Sequence, residues 1–224
     1  MVTVYTVAYN EELMLPFFVR HYRSNFPDCK IVVFDNHSTD NTRAIAHLMG
    51  CHVIAYDTNN QLSDLKYLEI KNHCWQFTDR NHWVIIADVD ELCQITQAEL
   101  EAEWMNGATL IRFAGYNMVN MHNNGDVANI THGIADENYS KSYCFNRHYI
   151  KEINYTPGCH TCKPVGEIKY SARVYPCYHY KYIQADYMVN RYSRNLARMS
   201  EINKRHGMGS QYAQPAARIR REFS

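Results

Sequence analysis

The stretch Trp83-Val84-Ile85-Ile86-Ala87-Asp88-Val89-Asp90-Glu91 decides how the rest of the chain is read. Five apolar residues in succession run into three carboxylates broken only by Val89. A short apolar run bounded by polar residues reads as a strand buried on both faces, the pattern of a parallel sheet. Its carboxyl end then delivers Asp88 and Asp90 into the crevice where open α/β sheets bind ligands. Acids this close raise one another's pKa or recruit a cation. Their oxygens suit a hard divalent ion, Mn²⁺ or Mg²⁺. A solvated acidic loop is the plainer reading of Asp-x-Asp by itself; the place at a strand tip is what separates the two.

Working outward, the same alternation of strand and helix recurs. Val2 to Val7 reads as a first strand, followed by Tyr9-Asn10-Glu11-Glu12 and a helix. On that helix Leu13 and Phe17 share one stripe, and Met14, Phe18 and Tyr22 share the next. Pro16 is tolerable there only in the first turn. Lys30 to Phe34 is a second strand, opening into the polar loop Asp35 to Thr42. Ala44, Ile45, Leu48 and Met49 then form a helix face stopped by Gly50, and Cys51 to Tyr56 is a third strand. Ser63 to Phe77 presents Tyr67, Ile70, Cys74 and Phe77 at helical spacing. Beyond the acidic strand, Thr96 and Glu99 have capping-box spacing for a helix ending near Gly107, and Thr109 to Ala114 is another strand. This order predicts an α/β fold with a mainly parallel sheet covered on both faces. Past Tyr116 the pattern breaks up. Asn117 to Tyr139 is polar and aperiodic, Ser142 to Ile153 has room for one or two strands, and Tyr170 to Tyr182 is extended. Gln184 to His206 reads as one basic helix carrying Arg191, Arg194 and Arg198, with a loose tail from Gly207.

The bulk numbers narrow the class. At 224 residues, 46% hydrophobic and 21% charged, with no Pro/Gly/Ser-rich linker, residues 1–224 are expected to form one domain. A formal net charge of +0 offers no electrostatic argument for nucleic acid or a membrane surface. No apolar stretch approaches the ~18–20 residues of a membrane span, and a strand starting at Val2 leaves no room for a leader peptide. Eight cysteines sit singly apart from Cys159-His160-Thr161-Cys162, as expected of reduced thiols in a cytoplasm. One Cys-x-x-Cys without a second pair is a weak zinc signal. For His160 and His179 a hydrogen-bonded histidine is the plainer reading, although His179 could complete an octahedral metal site.

Taken together, these pieces resemble the nucleotide-sugar-dependent glycosyltransferases of the GT-A fold, family 2-like in type. Tyr9-Asn10-Glu11-Glu12 with Leu15-Pro16 and Val19-Arg20-His21-Tyr22 is similar to the family's opening motif. Phe34-Asp35-Asn36-His37-Ser38-Thr39-Asp40-Asn41-Thr42 is similar to its nucleotide-binding loop, and Asp88-Val89-Asp90 to its Asp-x-Asp motif. His179-Tyr180-Lys181 is similar to a late His-Tyr-basic motif of a subset. The resemblance implies a three-layer α/β/α domain in which residues 1–115 bind the nucleotide sugar and 116–206 face the acceptor. It implies nucleotide-sugar contacts from Tyr9, Asn10, Glu11, Asp35, Asp64, Lys66, Asn72 and Asp88, and a phosphate contact from Lys181. Asp90, with Asp88 and His179, would hold Mn²⁺ or Mg²⁺. Asp136 is the candidate to take the acceptor's proton in an inverting transfer, with Glu137 and Asp126 as rivals. The donor is expected to be a UDP-sugar and the acceptor a glycan or glycoprotein. The resemblance is to compact soluble forms found in bacteria and large DNA viruses, which implies a cytoplasmic location, in the host if viral. Oligomeric state stays open. Two other readings remain at this point. One is a non-catalytic nucleotide- or sugar-binding module. The other is a haloacid dehalogenase-like phosphatase with Asp88 as nucleophile, whose motif belongs on a first strand.

Overall fold

The computed structural model describes residues 1–120 and 127–223. In chain order the strands and helices are β1 (Val2–Ala8), α1 (Leu15–Asn25), β2 (Lys30–Asp35), α2 (Thr42–Leu48), β3 (His52–Ala55) and α3 (Asp64–His73). Then come β4 (Trp83–Ile86), β5 (Glu91–Cys93), α4 (Gln97–Met105), β6 (Leu110–Val119), β7 (His132–Ala135), β8 (Cys144–Asn146) and β9 (Ile150–Glu152). The chain closes with β10 (Val165–Gly166), β11 (Tyr170–Tyr182), α5 (Ala185–Ala197), α6 (Glu201–Arg205) and α7 (Ala216–Arg221). The main sheet runs β3-β2-β1-β4-β8-β6-β11-β5, with β7 added on β6. β3, β2, β1 and β4 are all parallel, as are β6 and β11. β8 is a short antiparallel strand between β4 and β6.

Apolar packing covers the sheet on both faces, which makes three layers. Val2 and Val4 of β1 and Trp83 and Ile85 of β4 join one core with Leu15, Phe18, Tyr22 and Leu100. The alternate residues Tyr5, Val84 and Ile86 join a second core with Trp75 and Phe145 on the other face. This is the period-two alternation of a strand buried on both sides, and it is why Trp83 to Ile86 reads as a continuous apolar run.

The chain passes from β1 outward to β2 and β3, then returns to lay β4 on the opposite side of β1. That reversal is a topological switch point, and ligands bind outside the carboxyl ends of the strands there. β1 and β2 end level, with Ala8 paired to Asp35, whereas β4 ends at Ile86 opposite Tyr5, and the chain runs on from Ala87 beside the last residues of β1. Tyr9 to Glu12 and Asp88 to Glu91 therefore leave the sheet side by side.

Several local expectations shift. Met14, Phe18 and Tyr22 are fully buried, but Leu13, Leu48 and Phe77 are 39%, 88% and 93% exposed. After His73 the helix tightens into a 3₁₀ turn, Cys74–Phe77, which turns Trp75 inward instead of Phe77. The basic helix expected over 184–206 breaks between α5 and α6. There the Leu62 N–H donates to Arg198 O at 2.6 Å, and the Ser200 N–H donates to Leu62 O at 3.1 Å. Ser200 then caps α6. The capping box at Thr96 and Glu99 is formed in full. The tail from Gly207, expected to be loose, docks on α5. Ile219 is buried with Met188 and Tyr192, Tyr212 meets Tyr192 edge-on at 5.3 Å, and Arg220 pairs with Asp186 at 2.6 Å. All eight cysteines are free thiols. Among the described residues, no helix is long and apolar enough to cross a membrane. Asp126 lies outside the described residues.

Candidate active site

A cleft of about 540 Å³ opens at the carboxyl ends of β1 and β4. β4 ends at Ile86, so Ala87 to Asp90 form a turn rather than a continued strand, and β5 begins at Glu91. That turn sends the acids in different directions. Asp88 accepts from Lys71 Nζ of α3 at 2.6 Å, with Lys141 Nζ at 3.9 Å. Lys141 also pairs with Glu91, which folds back to accept the Asp88 N–H at 3.0 Å. Asp90 instead meets Arg191 Nη1 of α5 at 2.5 Å and His179 Nε2 of β11 at 3.3 Å. The second Arg191 nitrogen reaches Glu11 Oε1 at 3.3 Å.

Burial by itself penalises ionised carboxyls, and here two outcomes follow. Burial works to raise Asp90, but Arg191 and His179 outweigh it and hold the carboxyl well below its usual range. Lys71 and Lys141 likewise hold Asp88 down against burial. For Glu11 burial wins over Arg191 and pushes its carboxyl up, and burial raises Asp64 as well. Lys71 and Lys141 are driven up by their acid neighbours against the cost of burial.

Asp136 is a hub. Its Oδ2 accepts from the Asn117 amide at 2.7 Å, which turns Asn117 Oδ1 toward His179. His179 Nδ1–H donates to that oxygen at 2.7 Å, leaving Nε2 to face Asp90. Asp136 Oδ1 accepts from both the backbone and the side-chain nitrogens of Asn138, at 3.0 and 2.9 Å. Both oxygens of the expected proton acceptor are thus engaged in holding neighbours. Tyr139 stacks on His179 with ring centres 3.8 Å apart.

His179 and Asp90 present a nitrogen and an oxygen donor side by side, with the imidazole orientation fixed from behind as metal-binding histidines require. The donor set fits a divalent cation. Among the described residues no three His, Cys, Asp or Glu side chains converge as a complete ligand shell. Mg²⁺ and Mn²⁺ characteristically keep several positions for water and substrate phosphates.

The remaining sequence candidates divide. Tyr9, Glu11, Asp64, Asp88, Asp90, Asp136, His179 and Lys181 all line the cleft. Asn10 ties the two strand-end loops together instead, and Asp35 closes its own loop. Asn10 Oδ1 accepts the Thr39 N–H at 2.7 Å, and Asp35 accepts the Ser38 N–H at 3.2 Å and faces Arg43. Lys66 pairs with Glu69 on an exposed helix face. Asn72 is bound to the backbone of Tyr155 through both ends of its amide, at 2.7 and 3.3 Å. Glu137 is an exposed residue of the 3₁₀ turn Glu137–Tyr139. Lys71, Lys141 and Arg191 carry no site role in the sequence reading, nor does Arg198, which covers the Tyr9 ring at 3.1 Å from its centre. The signal for them is indirect: buried acids require buried counter-charges. Cys159 and His160 line the cleft, whereas Cys162 packs into the second core.

The model of the family described as Glycosyl transferase family 2 matches residues 3–163. No curated protein matches the chain. Among solved structures, residues 1–349 of TarS from S. aureus, in complex with UDP-GlcNAc, are 12% identical with a TM-score of 0.47, covering 100% of this chain and 73% of that one. The glucosyl-3-phosphoglycerate synthase from Mycobacterium tuberculosis, crystallised with Mn²⁺, UDP and glucosyl-3-phosphoglycerate, is 18% identical with a TM-score of 0.34. That match covers 51% of this chain and 44% of the synthase. In a longer TarS structure, 12% identical with a TM-score of 0.46, it covers 80% of this chain and 36% of that one.

Proposed function

The chain belongs to glycosyl transferase family 2, and from that premise we propose that it moves a sugar from a nucleoside-diphosphate sugar, a UDP-sugar, to a hydroxyl of a glycan, with inversion and with Mn²⁺ or Mg²⁺. The observation that carries this reading is the pair Asp90 and His179 at the switch-point cleft, backed by a cluster of buried cations. A leaving nucleoside diphosphate gathers negative charge as the glycosidic bond breaks, and fixed positive charge in a water-poor site is the largest means of lowering that barrier. The bound divalent ion would supply Lewis-acid stabilisation of that diphosphate.

The chain's own residues have separable parts. Lys181 lines the cleft beside Tyr192, where a point charge can meet phosphate oxygens. Lys71 and Lys141 neutralise Asp88 and Glu91, so the excess acid of the turn does not repel an anionic donor. Tyr9 under Arg198, together with Asp64 on the same wall, offers a flat face and a carboxyl for the nucleoside. Asp136, through Asn117, takes up the His179 Nδ1–H, which leaves Nε2 as the ring nitrogen that faces Asp90. Of the residues past 116, the segments carrying Asp136 and His160 line the cleft and are proposed to meet the acceptor.

The test is thermal. UDP and Mn²⁺ together should raise the melting temperature more than either alone, through ligand linkage. No shift with any pairing of nucleotide and metal sinks the reading. Binding without release of UDP from any donor, across a broad acceptor panel, would favour the non-catalytic module.

A further inference from the structure

We propose that His160, and not Asp136, takes the proton from the attacking hydroxyl; this rests on the transfer reading above. Four observations converge on it. His160 lines the cleft, and its ring Nδ1 lies 2.7 Å from the carbonyl oxygen of Asn138. A carbonyl only accepts, so Nδ1 carries the hydrogen and Nε2 keeps its lone pair. The ring is placed by an unusual backbone. Gly158 and Cys159 both sit in the left-handed region, at φ 77° and 56°, and a Cβ on Gly158 would meet His160 Cδ2 at 2.7 Å and Nε2 at 2.8 Å. A left-handed non-glycine residue such as Cys159 is uncommon, and such backbone clusters at functional sites. Tyr139 is shared: it stacks on His179 at 3.8 Å and meets His160 edge-on at 6.3 Å. Tyr139 therefore links His160 to the Asp90–His179 side of the same cleft.

Asp136 is held more tightly, its Oδ2 accepting from Asn117 and its Oδ1 twice from Asn138. Its place in the network is to orient both histidines, His179 through the Asn117 amide and His160 through the segment that carries the Asn138 carbonyl. A nearby acid is a natural candidate for the proton acceptor on sequence alone, but here the acid is the positioning residue.

In the step, the acceptor O–H proton passes to His160 Nε2 as the acceptor oxygen bonds to the anomeric carbon. The bond from that carbon to the diphosphate breaks, and its electron pair leaves on the nucleoside diphosphate. The imidazolium returns its proton to solvent after the products depart. Water in the acceptor position would follow the same course, giving slow donor hydrolysis.

The experiment has two arms. In ¹⁵N-labelled wild type, long-range ¹H–¹⁵N correlations of the His160 ring, assigned with H160Q, should show Nδ1 protonated and Nε2 bare; an Nε2–H tautomer overturns the assignment. In the second arm, UDP release from UDP-glucose and UDP-GlcNAc with Mn²⁺ is compared for wild type, H160A and G158A. General base catalysis is worth about 10²–10⁴-fold, so H160A should lose at least about 100-fold and regain part of it with added imidazole. Its UDP–Mn²⁺ melting shift should match wild type. G158A keeps the imidazole but displaces it, and should lose turnover with the same shift retained. Release by H160A within threefold of wild type overturns the proposal. Absence of the UDP–Mn²⁺ shift in wild type instead removes the transfer reading, and the assignment falls with it.

Discussion

Asp88 and Asp90 are two residues apart, yet they live in opposite electrostatic neighbourhoods. Asp88 leans toward two lysines, from α3 and from the segment before β8, and its side chain keeps 34% of its exposure. Asp90 leans toward β11 and α5, is 5% exposed, and shares its oxygen between a guanidinium and an imidazole. In a continued strand, residues two apart would point the same way. The turn after Ile86 breaks that rule and splits the pair. The lysine side offers only ammonium groups, whereas the Asp90 side also offers the Nε2 of an imidazole. A repeated acid in a motif therefore does not imply a repeated job: on the proposed reading Asp90 is the ligand of the pair, while Asp88 is paired with the lysines.

The comparison breaks most cleanly at Asp90. D90N should lower UDP release by about 10³-fold, near the upper end for removing one electrostatic stabiliser from an active site. It should also abolish the extra melting shift that Mn²⁺ adds to UDP, while D88N keeps a measurable part of that shift. Equal loss in both variants would mean the two acids act as one site. On the lysine side the larger effect is on folding. K141M leaves Glu91, 2% exposed, without its buried partner, and breaking a buried pair costs about 3–5 kcal/mol. Urea denaturation should show that loss, and K141M/E91L should recover most of it. If K141M unfolds at the wild-type midpoint, the lysine wall is not structural.

What the sequence disclosed follows from how far each contact reaches. The parallel half was legible because a strand buried on both faces must be continuously apolar, and Trp83 to Ile86 announces its own ends. The acids were legible because their pattern is local. Their partners were not: Lys71, Lys141 and Arg191 lie 17, 50 and 101 residues from the acids they bind, and no periodicity links them. Asn72 shows the converse. Its position in the chain suits a nucleotide contact, yet its amide is spent on Tyr155, 83 residues away. The tail was obscure because its docking rests on Tyr212, Ile219 and Phe223 with the Arg220–Asp186 pair, too few apolar residues to form a pattern.

Asn117 sharpens the Asp90 side further. N117L should free the His179 ring to flip, and loss of such an orienting partner costs about 10–100-fold in metal affinity. Titrating Mn²⁺ against the UDP-dependent melting shift would measure it. The same substitution should leave the Lys141–Glu91 pair untouched, because among the described residues the Asn117 side chain bonds to Asp136 and His179. An unchanged Mn²⁺ midpoint would remove His179 from the ligand set.

The gentlest probe is pH, because Glu11 and Asp90 share Arg191 but are shifted in opposite directions. Asp90 has its carboxyl lowered on folding, so it contributes stability above the unfolded value of about 3.9. That contribution fades only as pH falls through the folded value. Glu11 has its carboxyl raised by burial, so the folded state holds this proton more tightly than the unfolded chain. Its contribution is fully present below the unfolded value of about 4.3 and is lost as pH rises through the folded one. E11Q stays neutral throughout and removes that loss. Melting temperatures measured from pH 4 upward should therefore show E11Q gaining on wild type as pH rises, then running parallel to it. In a second series below pH 4, D90N should fall further behind wild type as pH rises toward the unfolded value of about 3.9. If E11Q instead falls behind wild type as pH rises, the Arg191–Glu11 pair outweighs burial, and Arg191 is held from both sides rather than by Asp90 alone.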